Sequence, residues 1–306
     1  MPNTKEKYLI TIAGPTAVGK TSLAIRLAQN LQTEIISADS RQFFKELEIG
    51  TAKPTPAELA AVPHHFVNTH HIGETYSAGD FERDALVLLS RLFEVYDRVV
   101  MVGGSGFYIK ALLEGLDALP APLPGLRERL TLRLQAEGLP SLQKEIADLD
   151  PDFAQTAEFE NPQRVIRALE VYITEGRPIS YFQQTMKKSR PFKSVAIALD
   201  RDRQELYKRI DDRMDQMLEE GLVQEAQDLL PYRTAHALQT VGYKEVYGFL
   251  DGDYDEQEMV RLLKQNSRRY AKRQLTWFRH QGEFKWFHPD DFEQILKYTQ
   301  QENLGA

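Results

Sequence analysis

Apolar positions along this chain switch between two spacings. Tyr8, Leu9, Ile10 and Ile12 form a short apolar run, and Leu23, Leu27 and Leu31 follow at i, i+4 and i+8, which predicts a strand and then an amphipathic helix. Glu34–Ala38 reads as a second strand, with a helix over Arg41–Glu46 that Asp39 could cap. Pro63–Val67 is extended. Ser77 and Asp80 make a capping-box pair before a helix with Leu86, Leu89, Phe93 and Tyr96 on one stripe, and Val99–Val102 is the next strand. Strands alternating with helices predict a parallel sheet.

That alternation stops at Leu119-Pro120-Ala121-Pro122-Leu123-Pro124-Gly125. Beyond it the spacing is helical only, over Leu126–Glu137, Ser141–Leu149 and Pro162–Glu175, the last ended by Gly176. Strand character returns at Val195–Leu199, whose continuous apolar run suits an inner strand of a parallel sheet. Three further helices are expected after it. The expected fold class is therefore α/β, a parallel-sheet core with an inserted all-helical domain and a helical C-terminal part. Its divisions are 1–120 for the first part of the core, 121–190 for the insertion, and 191–306 for core completion and basic helices. Lys187–Pro191 reads as a basic hinge.

The first turn between strand and helix carries chemistry. Gly14-Pro15-Thr16-Ala17-Val18-Gly19-Lys20-Thr21 matches G-x-x-x-x-G-K-[ST] in its strand–loop–helix context, and makes the core P-loop NTPase-like. Glycines let the backbone wrap an anion, amides and a helix N-terminus face phosphate oxygens, and Lys20 adds charge. Thr21 supplies a hydroxyl for Mg²⁺. The loop reports a diphosphate or longer anion without saying which. Asp39 follows the second strand, on the side of an open sheet where ligands bind. After Val99–Val102, where a P-loop kinase often places a metal-binding aspartate, the chain has Gly103-Gly104-Ser105-Gly106 instead.

Composition narrows the class. The 306 residues hold no cysteine, which excludes disulfides, thiolate zinc sites and thiol catalysis. No apolar run reaches membrane-span length, and the N-terminal stretch lacks a signal-peptide core, so a cytoplasmic protein is expected. His64, His65, His70 and His71 could suggest a metal, but adjacent side chains of an extended segment diverge. A net charge of −7 argues mildly against nucleic acid, yet the cations are clustered. Gln163, Arg164 and Arg167 open one helix, with the arginines sharing a face. Residues 261–285 hold eight Lys/Arg against one acid, interleaved with Tyr270, Trp277 and Phe278, a pattern suited to phosphate contacts and base stacking or to a solvated face.

Nine ordered blocks resemble the bacterial tRNA dimethylallyltransferases: Gly14–Thr21, Asp39–Gln42, Gly50–Pro54, Pro63–His65, Tyr76–Phe81, Gly103–Tyr108, Asn161–Glu170, Val241–Lys244 and Lys272–Arg279. Ser105 stands where that family usually has threonine, Asn68–His71 replaces a stretch usually containing aspartates, and the zinc-binding extension of some eukaryotic relatives is missing. The resemblance implies transfer of a dimethylallyl group from its diphosphate to N6 of the adenosine 3′ of the anticodon. It implies Asp39 as general base, and Lys20, Arg213 and Ser105 in the catalytic site. It also implies Mg²⁺ at Thr21, and a tRNA surface of Asp39, Ser40, Arg41, Gln42, Ser105, Arg127, Gln163, Arg164, Val165, Ile166, Arg167, Lys272, Arg273, Gln274, Trp277 and Arg279. A monomer acting on the tRNA anticodon loop and dimethylallyl diphosphate is expected, with no membrane partner. A small-molecule kinase, a prenyltransferase acting on free adenylate and a non-catalytic RNA-binding protein are the competing classes.

Overall fold

The computed structural model describes residues 5–183 and 187–301. Six parallel strands among these residues run β1 (Tyr8–Ala13), β2 (Ile35–Ser37), β3 (His64–His65), β4 (Arg98–Gly103), β5 (Lys193–Leu199) and β6 (Lys285–Phe287). They lie in the order β3-β2-β4-β1-β5-β6. β1 is central, pairing Tyr8 with Arg98 of β4 and with Lys193 of β5.

Side chains of successive strand residues point to opposite faces, so each face builds its own core. Leu9, Ala13, Val99 and Met101 pack on one side with Phe81, Ala85 and Leu89 of helix Ala78–Val95. Tyr8, Ile10, Ile12, Val100 and Val102 pack on the other with Leu23 and Leu27 of helix Lys20–Leu31 and Ile210 of helix Arg203–Glu219. Burial on both faces explains the near-continuous apolar runs of β1, β4 and β5. At the start of Ala78–Val95, both halves of the Ser77–Asp80 capping box are present.

Residues 115–188 form a second compact unit, beginning six residues before the division expected from the proline-rich stretch. Helices Leu126–Glu137, Leu139–Leu149 and Pro162–Glu175 enclose a core of Leu130, Leu142, Ile146, Val165, Ile166 and Leu169. At its heart Glu170 is fully buried. Its carboxylate accepts from Arg127 Nε at 2.7 Å and Nη2 at 2.8 Å, and from Arg167 Nη1 at 3.3 Å. Removing one partner of a buried ionic cluster leaves the others unpaired, which costs about 3–5 kcal/mol when all are buried. Arg127 is half-exposed, so about 3 kcal/mol applies to Glu170→Ala, a fall of roughly 12–24 °C by calorimetry in the melting of the 115–188 unit.

Several expectations are corrected. Arg41–Glu46 is a run of turns, because its backbone pairs with a distant segment instead of with itself: the Gln42 and Phe43 carbonyls accept from Asn68, Thr69 and His70, and Lys45 N donates to the His70 carbonyl. Five α-helices, not three, follow β5 among the described residues: Arg203–Glu219, Leu222–Asp228, Tyr243–Leu250, Glu256–His280 and Phe292–Gln300. The edge strands β3 and β6 were read only as extended or unassigned, being two and three residues long. Arg190 is no hinge cation. Its side chain is largely covered, donating to Glu82 Oε1 and to the Ala111 carbonyl, both at 2.7 Å.

Candidate active site

β1 delivers the chain into the loop 14–21 at the C-terminal edge of the sheet, the edge at which open α/β sheets bind ligands. Gly19 has φ +109° and leads into helix Lys20–Leu31, a left-handed conformation that glycine adopts at little cost. Ala17 has φ +62° without that licence, a strain of about 1–2 kcal/mol. Three arginines after β5 hold the loop. Arg201 Nε donates to the Val18 carbonyl and Arg209 Nε to the Ala17 carbonyl, both at 2.9 Å, and Arg213 Nη1 donates to Thr16 Oγ1 at 3.4 Å.

Gln274 is the fourth brace. Buried on helix Glu256–His280, it accepts from Thr16 N through Oε1 and donates from Nε2 to the Gly104 carbonyl, each at 2.9 Å. It thereby ties the P-loop to the turn after β4. In that turn, a Cβ on Gly103 would collide with the Ala38 carbonyl, so only glycine lets β4 and the end of β2 approach this closely. Ser105 Oγ accepts from Ser40 N at 2.9 Å and donates to Ser40 Oγ at 3.2 Å.

Asp39 stands where β2 ends. Its Oδ1 accepts from Arg41 N at 2.9 Å, closing a local turn in place of the helix cap, and its Oδ2 lies outside that bond. Lys20 Nζ donates to the Pro15 carbonyl at 2.7 Å. Burial pushes the Lys20 ammonium down to about 7, with the Asp39 carboxylate opposing that shift and the Arg213 cation adding to it. Burial likewise lowers Arg213, with Arg209 alongside. Beside Asp39, burial first and then the Asp39 carboxylate push Tyr270 up to about 12.

Lys20, Thr21, Ser37, Asp39, Gln42, Pro54, His64, Val102 and Gly103 line one small cavity. The structure thus brings together Asp39, Lys20 and Thr21 at one site, with Arg213 reaching the loop beside it from helix Arg203–Glu219. The oxygen donors of Thr21, Ser37 and Asp39 in one cavity are the hard ligands that suit Mg²⁺.

The residues expected to touch RNA divide by burial. Lys272, Arg273 and Arg279 are exposed on helix Glu256–His280. Lys272, Arg273, Thr276, Trp277, His280 and Gln281 line an open groove. Arg279 also donates to Asp200 Oδ2 at 2.7 Å. Gln163 is exposed and Arg164 half-buried in the helical unit. Six expected members are corrected. Val165 and Ile166 are fully buried in the helical core, because they fall on the inner face of Pro162–Glu175. Gln274 is turned inward as the brace. Gln42 spends its amide within the protein, donating to the Thr51 and Ala52 carbonyls and accepting from Ser37 Oγ. Arg127 and Arg167 are held by Glu170.

Sequence reasoning missed Arg201 and Arg209, which sit among many charged residues of an exposed-looking helix. It missed His64 as a cavity residue, although the extended segment did send the two histidines apart. His65 Nε2 meets Glu34 Oε2 at 2.5 Å, while His64 Nδ1 lies 2.8 Å from the Val62 carbonyl.

A family model described as IPP transferase matches residues 42–281. The chain belongs to that family. It is 53% identical to the tRNA dimethylallyltransferase of Cytophaga hutchinsonii over 96% of this chain and 97% of that one. It is 51% identical to the tRNA dimethylallyltransferase of Christiangramia forsetii over 93% and 94% of the two chains. Among solved structures, the full-length tRNA isopentenylpyrophosphate transferase of Bacillus halodurans superposes with a TM-score of 0.71 at 37% identity, covering 96% of each chain. A eukaryotic dimethylallyltransferase acting on tRNA gives 0.76 at 27% identity, covering 94% of this chain and 75% of that one. This IPP transferase family member is an enzyme of the tRNA dimethylallyltransferase type, with the α/β P-loop fold of those relatives. No helix among the described residues is long and apolar enough to cross a membrane.

Proposed function

We propose that the chain transfers the dimethylallyl group of dimethylallyl diphosphate to N6 of the adenosine 3′ of the tRNA anticodon, with Asp39 as general base. The observation that carries this reading is the convergence of Asp39, Lys20 and Thr21 on one cavity at the C-terminal edge of the sheet. An exocyclic adenine amine is a weak nucleophile, its lone pair being delocalised into the ring. As N6 bonds to C1 of the dimethylallyl group, Asp39 takes the N6 proton, and the C–O bond to diphosphate breaks with its electron pair leaving on oxygen. Base assistance of this kind contributes about 10²–10⁴-fold.

The leaving oxygens meet the loop amides, Lys20 and Arg213. The loop itself is held before the reaction by Arg201, Arg209 and Gln274, so its backbone needs little reorganisation as charge develops. A magnesium ion held by Thr21 would add Lewis-acid neutralisation of the same oxygens. For RNA, the exposed Lys272 and Arg273 with Trp277 on the core, and Gln163 and Arg164 on the helical unit, offer phosphate and stacking contacts. The missing acid after β4 speaks against a kinase.

The test supplies tRNA and AMP together with dimethylallyl diphosphate and Mg²⁺, and reads nucleosides by mass spectrometry. The added mass is expected on the adenosine next to the anticodon. Mass accumulating in AMP would make this a free-nucleotide prenyltransferase, and ATP turnover in its place would favour the kinase.

A further inference from the structure

His64 has a feature that its family motif does not explain. The Val62 carbonyl can only accept, so the ring nitrogen 2.8 Å from it, Nδ1, carries the proton. Nε2 is then a lone-pair acceptor. It is buried and meets no donor in the protein. Buried polar atoms without a partner are uncommon because each forfeits its hydration. Four side-chain atoms are in that position among the described residues, on Thr11, His64, Arg190 and Tyr247. Of these four residues only His64 lines the cavity shared by Thr21, Lys20 and Asp39. Its place is set by β3, where His64 pairs with Ile35 at the edge of the sheet. Burial also holds the imidazole below its ordinary pKa, favouring the neutral ring.

The donor that Nε2 lacks within the protein can come from what occupies the cavity, and the oxygens of Thr21, Ser37 and Asp39 beside it suit a hydrated cation. The cavity has about 30 Å³ of water-accessible space, room for about two water molecules. Mg²⁺ dehydrates reluctantly and keeps several waters, each a polarised donor in need of an acceptor. We propose that His64 Nε2 accepts a hydrogen bond from a water of the magnesium hydration shell at Thr21, and is thereby a positioning residue for the metal. This rests on the magnesium reading given above.

The test is calorimetric binding of inorganic diphosphate at rising MgCl₂ to wild type, His64→Leu and His64→Gln. In wild type, Mg²⁺ should tighten diphosphate binding. His64→Leu should lose about tenfold of that tightening, the worth of one hydrogen bond to a charged partner, with Mg²⁺-free affinity unchanged. His64→Gln, whose amide oxygen can accept, should recover most of it. A second measurement needs no variant. The ¹⁵N resonance of His64 Nε2 in wild type should move upfield with Mg²⁺ and diphosphate together, and not with either alone. Wild type indifferent to Mg²⁺ would remove the magnesium reading itself. A wild-type magnesium effect kept in full by His64→Leu, or an Nε2 resonance that does not move, would overturn the role of His64. A loss seen only in KM for tRNA would assign Nε2 to the acceptor base and overturn it equally.

Discussion

Asp39→Asn is expected to lower kcat by about 10²–10⁴-fold while tRNA affinity stays within a few-fold. The amide is chosen because its Oδ1 can still accept from Arg41 N, so the turn after β2 survives and only the proton acceptor is lost. Asp39→Ala would remove both and blur the result. Single-turnover rates with saturating dimethylallyl diphosphate and tRNA give the chemical step directly. A turnover near that of wild type would reduce Asp39 to the residue that shapes the turn.

Lys20→Ala should cost about 10²–10³ in kcat, the loss typical of one donor aimed at developing charge, and weaken diphosphate binding about tenfold or more. The free protein adds a pH signature. Burial has brought Lys20 from its ordinary 10.5 to about 7, and an incoming polyanion raises a neighbouring ammonium. Above pH 7 the empty site therefore holds Lys20 largely neutral and the filled site holds it charged, so binding takes up a proton. Affinity should fall as pH rises from 7, by at most tenfold per unit. At pH 8, calorimetry in buffers of different ionisation heat should count close to one more proton taken up by wild type than by Lys20→Ala. Equal proton counts would mean that Lys20 is already charged in the empty site. The same depressed value makes the unfolded chain bind the extra proton between pH 7 and 10.5, so fold stability should rise through that window.

The P-loop and the parallel core were legible in the sequence because both are local. A strand–glycine-loop–helix pattern lies within 24 residues, Tyr8–Leu31, and β4 and β5 announce themselves by burial on both faces. The helical unit was legible from the loss of strand spacing. What could not be read was orientation across long separations. Gln274 sits in a basic, aromatic run and reads as RNA-facing, but it joins Thr16 and Gly104, residues more than 150 positions away. Val165 and Ile166 lie between two arginines of a surface motif, and only the 3.6-residue turn separates the inner face from the outer. The helix expected after Asp39 failed for the opposite reason. Local propensity allowed it, but the backbone of 42–45 is bonded to that of 68–70, a partner the local pattern does not announce.

The two ends of the helical unit nearly touch. A Cβ on Gly115 would lie 2.5 Å from Lys188 Cδ. Strand β5 must find β1 across everything between them, yet a segment that folds with its ends together presents itself to the core as a short loop. Loop-closure entropy grows only as the logarithm of length, about 0.6 kcal/mol per doubling, so the size of the unit scarcely burdens the sheet. Residues 115–188 are in this sense a cassette. The length and surface of such a cassette can be redrawn while β1, β4 and β5 keep their register.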